Sequence, residues 1–312
     1  MKDNNTPLGV ILTGGKATRL RPLSNFYPKS QIPLLNKPLI EYSMDLLAEA
    51  GIQDIAIVVG PDDKTTAPLA KNYRSDVEVS VHVQKTPKGS GDALAACGES
   101  LQDRDVIVLA VDTILQDSMP GKIQLQSQID TFIANSWDVW LPLHKTDQPT
   151  QMGIAELGDS EKVISLEEKP DFPKSNLALV GIWMLAEPVV KRIQFQPEVS
   201  ARGEIEISGM LETIHSEGGL IGGRLWQGSW LDTGTLSALL ESQKQLLGER
   251  THLIDPSAQI IDSTVGENVV VGKNSALHNV EIKNALVPAN VQLRDIAANG
   301  IIVTPDGEIT YV

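Results

Sequence analysis

Short apolar runs alternate with helical patterns through the first part of the chain. Leu8–Thr13, Ile55–Val59 and Asp105–Val111 are almost wholly apolar, which is typical of strands that are buried on both faces. Residues 38–50 carry aliphatic side chains along one side of a helix, and Gly51 suits a C-terminal cap. Strands and helices in alternation indicate a sheet covered by helices.

The middle of the chain continues the same alternation with a more mixed texture. The further predicted strands are Val77–Val83, Asp138–Leu143, Gly153–Leu157, Val163–Glu167 and Leu177–Met184. The further predicted helices are Ala93–Leu101, Glu204–Ser216 and Thr235–Gly248. The fold class that follows is α/β: a Rossmann-like, mixed and mainly parallel sheet flanked by helices.

The texture changes after about residue 252. Val265–Val270 and Val271–Ala276 repeat an order of aliphatic, Gly, two polar residues and then small or aliphatic residues. A six-residue period is typical of a parallel β-helix, although two matching units can also arise by chance in a Val- and Gly-rich segment. We therefore predict a main domain over residues 1–250 and a short, left-handed β-helix-like domain over residues 251–312.

Charge and cysteine content narrow the class of protein. The 26 Lys and Arg against 40 Asp and Glu give a formal net charge of −14, which argues against a broad nucleic-acid or membrane surface. The single Cys97 cannot form an internal disulfide, and neither a signal-peptide pattern nor a membrane-spanning apolar run is evident. We expect a soluble, cytoplasmic protein.

A loop follows the first strand and gathers cations that are scarce elsewhere. Gly14 and Gly15 end the strand, so the backbone amides there can approach a ligand. The cations after them are Lys16, Arg19, Arg21 and Lys29. Neither the G-x-x-x-x-G-K-[ST] pattern nor G-x-G-x-x-G is present. The loop indicates a cradle for a polyphosphate, and the alternative is a surface loop that happens to be basic.

A longer set of motifs carries a family resemblance. The motifs are Gly14-Gly15-x-x-Thr18-Arg19-Leu20-Arg21-Pro22, Pro28-Lys29, Asn36-Lys37-Pro38, Gln84-x-x-Pro87-x-Gly89, Glu167-Glu168-Lys169-Pro170, Ser175-Asn176-Leu177-Ala178-x-x-Gly181-Ile182, Gly203-Glu204-x-Glu206-Ile207 and Trp230-x-Asp232-Thr233-Gly234-Thr235. Their order and spacing over residues 8–248 resemble the sugar-1-phosphate nucleotidyltransferases. The resemblance implies that residues 1–250 are the catalytic domain.

The resemblance implies a reaction in which a sugar-1-phosphate oxygen attacks the α-phosphorus of a nucleoside triphosphate and pyrophosphate leaves. The attacking group is already an anion, so positioning and charge neutralisation supply most of the catalysis. The implied catalytic residues are Arg19, Lys29, Asp112, Lys169 and Asp232. The implied nucleotide-binding residues are Gly14, Gly15, Thr18, Arg19, Gln84, Pro87 and Gly89. The implied sugar-phosphate-binding residues are Gly153, Glu168, Lys169 and Gly181.

Two of these residues are expected to hold the cofactor, Mg²⁺. Asp112 ends the apolar strand that begins at Asp105, and Asp232 follows Gly228-Ser229-Trp230-Leu231; carboxylates at strand ends suit this ion. For either aspartate alone a turn or helix-cap role is the alternative, and the match to the family positions favours the metal. The five histidines show no metal-ligand spacing.

The sequence departs from the family pattern at three positions. Ala17 stands where many members have Gly, Val111 replaces a frequent Gly before Asp112, and Met152 replaces a usual aromatic before Gly153. None removes a charged catalytic residue, so the departures bear on the choice of substrate.

The same motifs give expectations for the substrates and for the oligomeric state. The Gln84 segment favours dTTP or UTP, and the tail resembles long-form glucose-1-phosphate thymidylyltransferases, which favours glucose-1-phosphate as the hexose-1-phosphate. The alternatives are a mannose-1-phosphate guanylyltransferase, since Asn36-Lys37-Pro38 occurs there too, and a non-catalytic regulatory relative that binds nucleotide sugars. An acyltransferase is a further alternative that the sequence disfavours, because the tail has too few coils to form a site between them. The open end of the tail predicts a homo-oligomer, a dimer or tetramer.

Overall fold

The computed structural model describes residues 6–15, 17–117, 124–200 and 203–312, of Asp117 the backbone alone. Lys16, one of the predicted phosphate-loop cations, lies outside the described residues. The chain groups into two compact units: Met1–Gly15 with Ser43–Trp230, and Lys16–Tyr42 with Leu231–Val312. This grouping does not test the predicted boundary at residue 250, which stays a prediction.

The described residues form the following helices and strands. The helices are α1 (Leu39–Glu49), α2 (Thr66–Lys71), α3 (Ser90–Ala95), α4 (Gln124–Ala134), α5 (Glu187–Phe195), α6 (Ile207–Ser216) and α7 (Leu236–Leu247). The strands are β1 (Leu8–Leu12), β2 (Pro33–Leu34), β3 (Lys37–Pro38), β4 (Asp54–Val59), β5 (Glu78–Val83), β6 (Val106–Ala110), β7 (Thr113–Asp117), β8 (Val139–Lys145), β9 (Gly153–Leu157), β10 (Val163–Glu168), β11 (Leu177–Leu179), β12 (Ile182–Leu185), β13 (Ile221–Leu225), β14 (Gly228–Asp232), β15 (His252–Ile254), β16 (Gln259–Ile261), β17 (Thr264–Val265), β18 (Val269–Val271), β19 (Ala276–Val287), β20 (Gln292–Val303) and β21 (Ile309–Tyr311).

The first unit is built on a ten-stranded mixed sheet. The strand order is β10-β9-β11-β8-β12-β6-β1-β4-β5, and β13 pairs with β8. Strands β4, β5, β6, β8, β9 and β13 run in the same direction as β1, whereas β10, β11 and β12 run the opposite way. The sheet is therefore mixed and mostly parallel, as the sequence predicts.

Helices cover both faces of this sheet. On one face Leu8, Val10 and Leu12 of β1 join a buried cluster with α3, α5 and α6. On the other face Gly9 lies against α1, where an added β-carbon would be 2.8 Å from Leu47. The alternation along β1 explains why its apolar run is continuous, since every side chain of the strand is buried.

Most predicted elements are confirmed to within about two residues, and three are wrong in part. The predicted helix 93–101 stops at Ala95 and resumes as a 3-10 helix at Gly98–Leu101. The predicted strand 177–184 is two strands, β11 and β12, because Gly181 has a φ of +78° between them. The predicted helix 204–216 begins at Ile207, since the backbone at 204–206 is used in loop contacts described below.

The tail of the second unit is a seven-stranded sheet in which most neighbouring strands are parallel. Ala276 pairs with Gln292, sixteen residues later, and Gln259 pairs with Ala276, seventeen residues later. Strand β21 pairs antiparallel with the last three residues of β20. The chain therefore returns to the next ladder every sixteen or seventeen residues, which is one or two fewer than three hexads would give.

Asparagines make the bends of the tail. Left-handed backbone recurs every five or six residues, at Asn268, Asn274, Asn279, Asn284 and Asn290. Side chains on neighbouring turns are hydrogen-bonded, with Asn279 Nδ2 donating to Asp295 Oδ1 at 2.7 Å and Asn284 Nδ2 to Asn299 Oδ1 at 2.7 Å. Asn tolerates this conformation better than most residues, so it takes the corner positions.

The glycine of the predicted hexads has a different structural role from the corner asparagines. Gly272 lacks the left-handed φ of the corner residues. A β-carbon there would lie 2.5 Å from the backbone nitrogen of Ala289 on the next turn. Glycine is required for close stacking of turns, not for bending the chain.

Helix α7 packs on the tail through a buried amide. Gln243 is fully buried, and its Nε2 donates to Asn268 O at 3.0 Å, Asn268 Oδ1 at 3.1 Å and Ala285 O at 3.1 Å. Asn268 Nδ2 returns a bond to Leu240 O at 3.1 Å. The tail thus buries its face against a helix of its own chain. Across the described residues, no helix combines the length and apolar character needed to cross a bilayer.

Candidate active site

Three of the predicted site segments follow neighbouring parallel strands of the first unit. Gly14 and Gly15 follow β1, Gln84 follows β5, and Asp112 follows β6 by two residues. The parallel strands β6, β1, β4 and β5 end at one edge of the sheet, and ligands of open α/β sheets bind at such edges. The fold therefore brings these segments to one edge.

The loop after β1 presents bare backbone. Gly14 and Gly15 are exposed, and Gly15 has a φ of +114° that favours glycine. Thr13 anchors the base of the loop, with its Oγ1 donating to Val58 O at 2.8 Å. A β-carbon on Gly14 would lie 3.4 Å from Oε1 of Gln84, so these two predicted nucleotide-binding residues are adjacent.

The side chain of Gln84 is held in one orientation. It is 4 % exposed, its backbone N–H donates to Val59 O at 2.9 Å, and its Nε2 donates to Gly89 O at 3.1 Å and Asp92 Oδ2 at 2.7 Å. Asp92 lies in the first turn of α3. The sequence analysis did not single out this aspartate, although its position eight residues after Gln84, in a helix start, could have drawn attention to it.

The loop between Gln84 and α3 is clamped by the segment before α6. Gly91 N donates to Ile205 O at 2.8 Å, and Ile205 N donates to Lys88 O at 2.6 Å. Gly89 has a φ of +112°, and a β-carbon there would be 2.3 Å from Ile205 O. The Gly-Glu-x-Glu-Ile motif at 203–207 thus positions the loop of Gly89, while Pro87 is exposed.

Predicted sugar-phosphate residues meet where β9 pairs with β10. Gly153 is opposite Glu168 in the antiparallel register, and a β-carbon on Gly153 would lie 3.0 Å from Glu168 Oε2. Lys169 Nζ is 2.9 Å from Glu168 Oε1. Lys169 N donates to Met152 O at 3.0 Å, and Lys169 has a φ of +48°. A carboxylate and an ammonium therefore lie beside bare backbone.

Glu212 is a further acid at this position. Its Oε1 accepts from Glu168 N at 3.2 Å. Burial raises the pKa of Glu212, the bond from Glu168 N opposes this, and the charges of Glu168 and Glu206 add to the rise. Sequence reasoning did not find this residue, because an acid in a helix gives no local signal.

Gly181 lies close to the strand that follows Asp112. A β-carbon on Gly181 would be 2.5 Å from Thr113 Oγ1, and that hydroxyl donates to Val180 O at 2.6 Å. Gly181 O accepts from Ala110 N at 2.9 Å. Glycine at this position lets the β11–β12 connection approach the residues around Asp112.

The second unit holds Thr18, Arg19, Lys29 and Asp232. Arg19 and Asp232 lie beside the buried Gly234, where a β-carbon would be 3.2 Å from Arg19 Nη2 and 3.0 Å from Asp232 Oδ1. Asp232 Oδ1 also accepts from Gly234 N at 2.9 Å. Thr18 and Arg19 lie in a 3-10 helix preceded by Ala17 in left-handed backbone, and Lys29 begins another 3-10 helix.

The donors available to a metal are carboxylates. Among the described residues no three His, Cys, Asp or Glu side chains cluster in a metal-binding arrangement. Mg²⁺ needs fewer protein ligands, since one or two carboxylates with phosphate oxygens and water suffice. Asp112, two residues after β6 in the first unit, and Asp232, exposed in the second, each carry the hard oxygen donors that this ion takes, so the donor chemistry of each residue fits.

A cavity of about 530 Å³ lies elsewhere, lined by Thr6, Asp54, Glu78 and Arg104 among others. These residues precede or begin β1, β4, β5 and β6, so the cavity is at the amino ends of the parallel strands. It is at the edge opposite Gly14, Gln84 and Asp112, and it is not part of the candidate site.

Together the fold and the loops define an α/β protein with bare backbone at the carboxyl ends of its parallel strands, an edge where open α/β sheets bind ligands. Comparison with known proteins is consistent with that class. The model of the family described as "Nucleotidyl transferase" matches residues 8–249. The chain belongs to the nucleotidyl transferase family and is an enzyme of the nucleotidyltransferase class (EC 2.7.7). Enzymes of this family typically use a divalent metal.

Relatives with stated activities are similar over most of the chain. A low-salt glycan biosynthesis nucleotidyltransferase of Haloferax volcanii is 30% identical, covering 89% of this chain and 87% of the relative. A glucose-1-phosphate thymidylyltransferase of Streptomyces griseus is 31% identical, covering 85% and 74%. A crystal structure from Bacillus anthracis, proposed to be a glucose-1-phosphate thymidylyltransferase and solved with sucrose, superposes with a TM-score of 0.68 at 26% identity, covering 78% of this chain and 96% of the other.

Proposed function

We propose that the chain transfers a nucleotidyl group from dTTP or UTP to glucose-1-phosphate, giving a nucleoside diphosphate sugar and pyrophosphate. The reaction class, nucleotidyl transfer to a sugar-1-phosphate, follows from the family. The named base and sugar are the proposal. The observation that carries it is the pairing, within the first unit, of a glycine loop beside Gln84 with a bare-backbone site beside Glu168 and Lys169.

Each group has a role in the proposed reaction. Arg19 and the amides near Gly14 bind the triphosphate, and Lys29 contacts the α-phosphate, where charge neutralisation favours attack by a second anion. Lys169 binds the phosphate of the sugar, and Glu168 accepts hydrogen bonds from sugar hydroxyls. Gly153 and Gly181 let the sugar approach the backbone. No proton has to be removed from the attacking phosphate oxygen, so no general base is assigned.

Asp112 and Asp232 are proposed to hold Mg²⁺. A bound Mg²⁺ would offset the charge of the phosphates and of the leaving pyrophosphate. The rest of the charge neutralisation in the proposed reaction comes from the cations and backbone amides of the chain. A cytoplasmic location stays a prediction.

The proposal also covers the domains of the chain and its oligomeric state. Residues 1–250 are proposed as the catalytic domain, and residues 251–312 as a short left-handed parallel β-helix. The ladder spacing of sixteen or seventeen residues supports a helical path of the chain. Among the described residues, β20 before Gly300 pairs with a strand on one side only, which supports a homo-oligomer, a dimer or tetramer, because unpaired strand edges tend to be covered.

A substrate grid tests the function. Pyrophosphate release is measured with Mg²⁺ for dTTP, UTP, GTP, CTP and ATP, each with glucose-, mannose- and N-acetylglucosamine-1-phosphate. We expect turnover with dTTP or UTP and glucose-1-phosphate, and its loss when EDTA removes the metal. Turnover confined to GTP with mannose-1-phosphate would replace the proposal by a guanylyltransferase. A folded protein that binds nucleotide but turns over no pair would be a regulatory relative.

A further inference from the structure

The amide of Gln84 has donors and acceptors at opposite ends, so its orientation decides what it can recognise. The Nε2 end faces two oxygen atoms, Gly89 O at 3.1 Å and Asp92 Oδ2 at 2.7 Å. A carbonyl and an ionised carboxylate can only accept hydrogen bonds. A flipped amide would place Oε1 against both of these acceptors, so the observed orientation is the one that the surroundings enforce.

The other end of the amide faces the nucleotide loop. Oε1 of Gln84 lies 3.4 Å from the position of a β-carbon on Gly14, in the exposed loop after β1. The side chain is 4 % exposed, and among the described residues its hydrogen bonds are made by Nε2 and none by Oε1. Gln84 therefore presents a fixed acceptor to whatever binds beside Gly14.

We propose that Asp92 is a positioning residue for base selection: by holding Nε2 of Gln84 it fixes Oε1 as an acceptor, so the site favours bases with a ring N–H. Uracil and thymine carry such a donor at N3, as guanine does at N1. Cytosine N3 and adenine N1 are acceptors and would face Oε1 with a lone pair. This inference rests on the proposed function, in which Gln84 reads the base.

The rest of the loop supports a fixed geometry. Gly89 O also accepts from Ala93 N at 3.1 Å, which ties one of the two acceptors to the first turn of α3. The same turn carries Asp92, and Gly91 N is bonded to Ile205 O at 2.8 Å. Since both acceptors are held by one turn, replacing Asp92 changes the hydrogen bonding of Gln84 without removing the turn.

The test compares UTP with CTP, because the two nucleotides differ only at N3 and C4 of the base. The variants are Asp92→Asn, whose amide can donate to a flipped Gln84, and Asp92→Ala, which leaves Gly89 O as the only acceptor. Glu99→Gln is the matched control, since it removes a nearby exposed carboxylate that does not contact Gln84. Both kcat/KM with glucose-1-phosphate and nucleotide Kd without sugar are measured.

We expect the wild-type chain to prefer UTP over CTP by about 100-fold or more, since a site built around a hydrogen bond strongly rejects a base that cannot make it. The UTP-to-CTP ratio should fall at least about tenfold in Asp92→Asn, less in Asp92→Ala, and not in Glu99→Gln. If Asp92 had a purely structural role, its replacement would lower kcat/KM for UTP and CTP together and leave their ratio unchanged.

The outcomes separate this inference from the function itself. An unchanged UTP-to-CTP ratio in the folded Asp92→Asn and Asp92→Ala variants would overturn it while the enzyme activity stands. A wild-type chain that does not distinguish UTP from CTP would overturn it as well. If the wild-type chain turns over no substrate pair, the ratio of Kd values still tests the inference. In that case only the proposed function fails.

Discussion

Two glycines of the predicted nucleotide-binding loops have nearly the same φ and different surroundings. Gly15 has a φ of +114° with no described atom within 4 Å of an added β-carbon, whereas Gly89 has a φ of +112° and an added β-carbon 2.3 Å from Ile205 O. A side chain added at either position would therefore be strained by the backbone conformation. Only Gly89 adds a collision with a backbone that cannot rotate out of the way.

Substitution by alanine should separate the two effects. We expect Gly15→Ala to lower the free energy of unfolding by about 1–2 kcal/mol through strain alone. Gly89→Ala should displace the segment at Ile205 as well, and raise the KM for the nucleoside triphosphate at least about tenfold more than Gly15→Ala does. Urea unfolding and steady-state kinetics measure these quantities. Equal KM values for the two variants would show that the Ile205 contact does not position the loop.

Regular elements of the fold were predictable, and their interruptions were not. The continuous apolar run at Leu8–Leu12 predicts a buried strand because no polar residue competes with it. The break at Gly181 depends on Thr113, which is distant in sequence, and the late start of α6 depends on the hydrogen bonds of Ile205 with Lys88 and Gly91. Such tertiary contacts leave no periodic signal in a single segment.

The residues of the candidate site were also predictable only in part. Family motifs identify candidate ligand-binding residues such as Gln84 and Glu168, because their types and spacing resemble the family pattern. The acids bonded to them, Asp92 to the side chain of Gln84 and Glu212 to the backbone N–H of Glu168, are found only from the hydrogen bonds. The tail shows the same limit, since the hexads predict its parallel strands while the asparagine corners emerge only from backbone angles.

One charged group links the start of β6 to the start of α5. Asp105 Oδ1 accepts from Glu187 N at 2.9 Å, which caps the helix. Burial raises the pKa of Asp105, the bond from Glu187 N lowers it, and the charge of Glu187 raises it, with a net rise. Because the folded-state pKa lies above the unfolded value of about 3.9, this group favours folding below that pH. That contribution is lost as the pH rises through the folded-state pKa.

The sign of the shift predicts the behaviour of Asp105→Asn. The variant keeps an oxygen acceptor for Glu187 N and removes the buried charge, so at pH 7 it should be more stable than the wild type. We expect a gain below about 1 kcal/mol, since the carboxyl is only half buried and is screened by solvent. Urea unfolding from pH 4 to 8 should show the gain shrinking toward low pH. The exposed Asp147→Asn is the charge-matched control, and a gain that grows toward low pH would contradict the assignment.

At the scale of the whole molecule, the question is whether the tail folds as one with the rest of its unit. Helix α7 lies inside the segment that matches the family, whereas residues 252–312 lie beyond it. Gln243 joins the two, because one buried amide nitrogen faces three oxygen atoms of Asn268 and Ala285. Removing the donor would leave those oxygens buried without that partner, which costs more than the loss of an exposed bond.

We therefore expect Gln243→Leu to lower the free energy of unfolding by about 2–3 kcal/mol. Gln243→Glu should cost more at pH 8 than at pH 5, because an ionised carboxylate would face three acceptors whereas a protonated one can still donate. Exposed Gln245→Leu on the same helix is the control.

Scanning calorimetry should show one transition for this unit in the wild type and separate melting of the tail in Gln243→Glu at pH 8. If Gln243→Leu unfolds within about 0.5 kcal/mol of the wild type, the amide does not couple α7 to the tail. Packing of the apolar face alone would then account for their association.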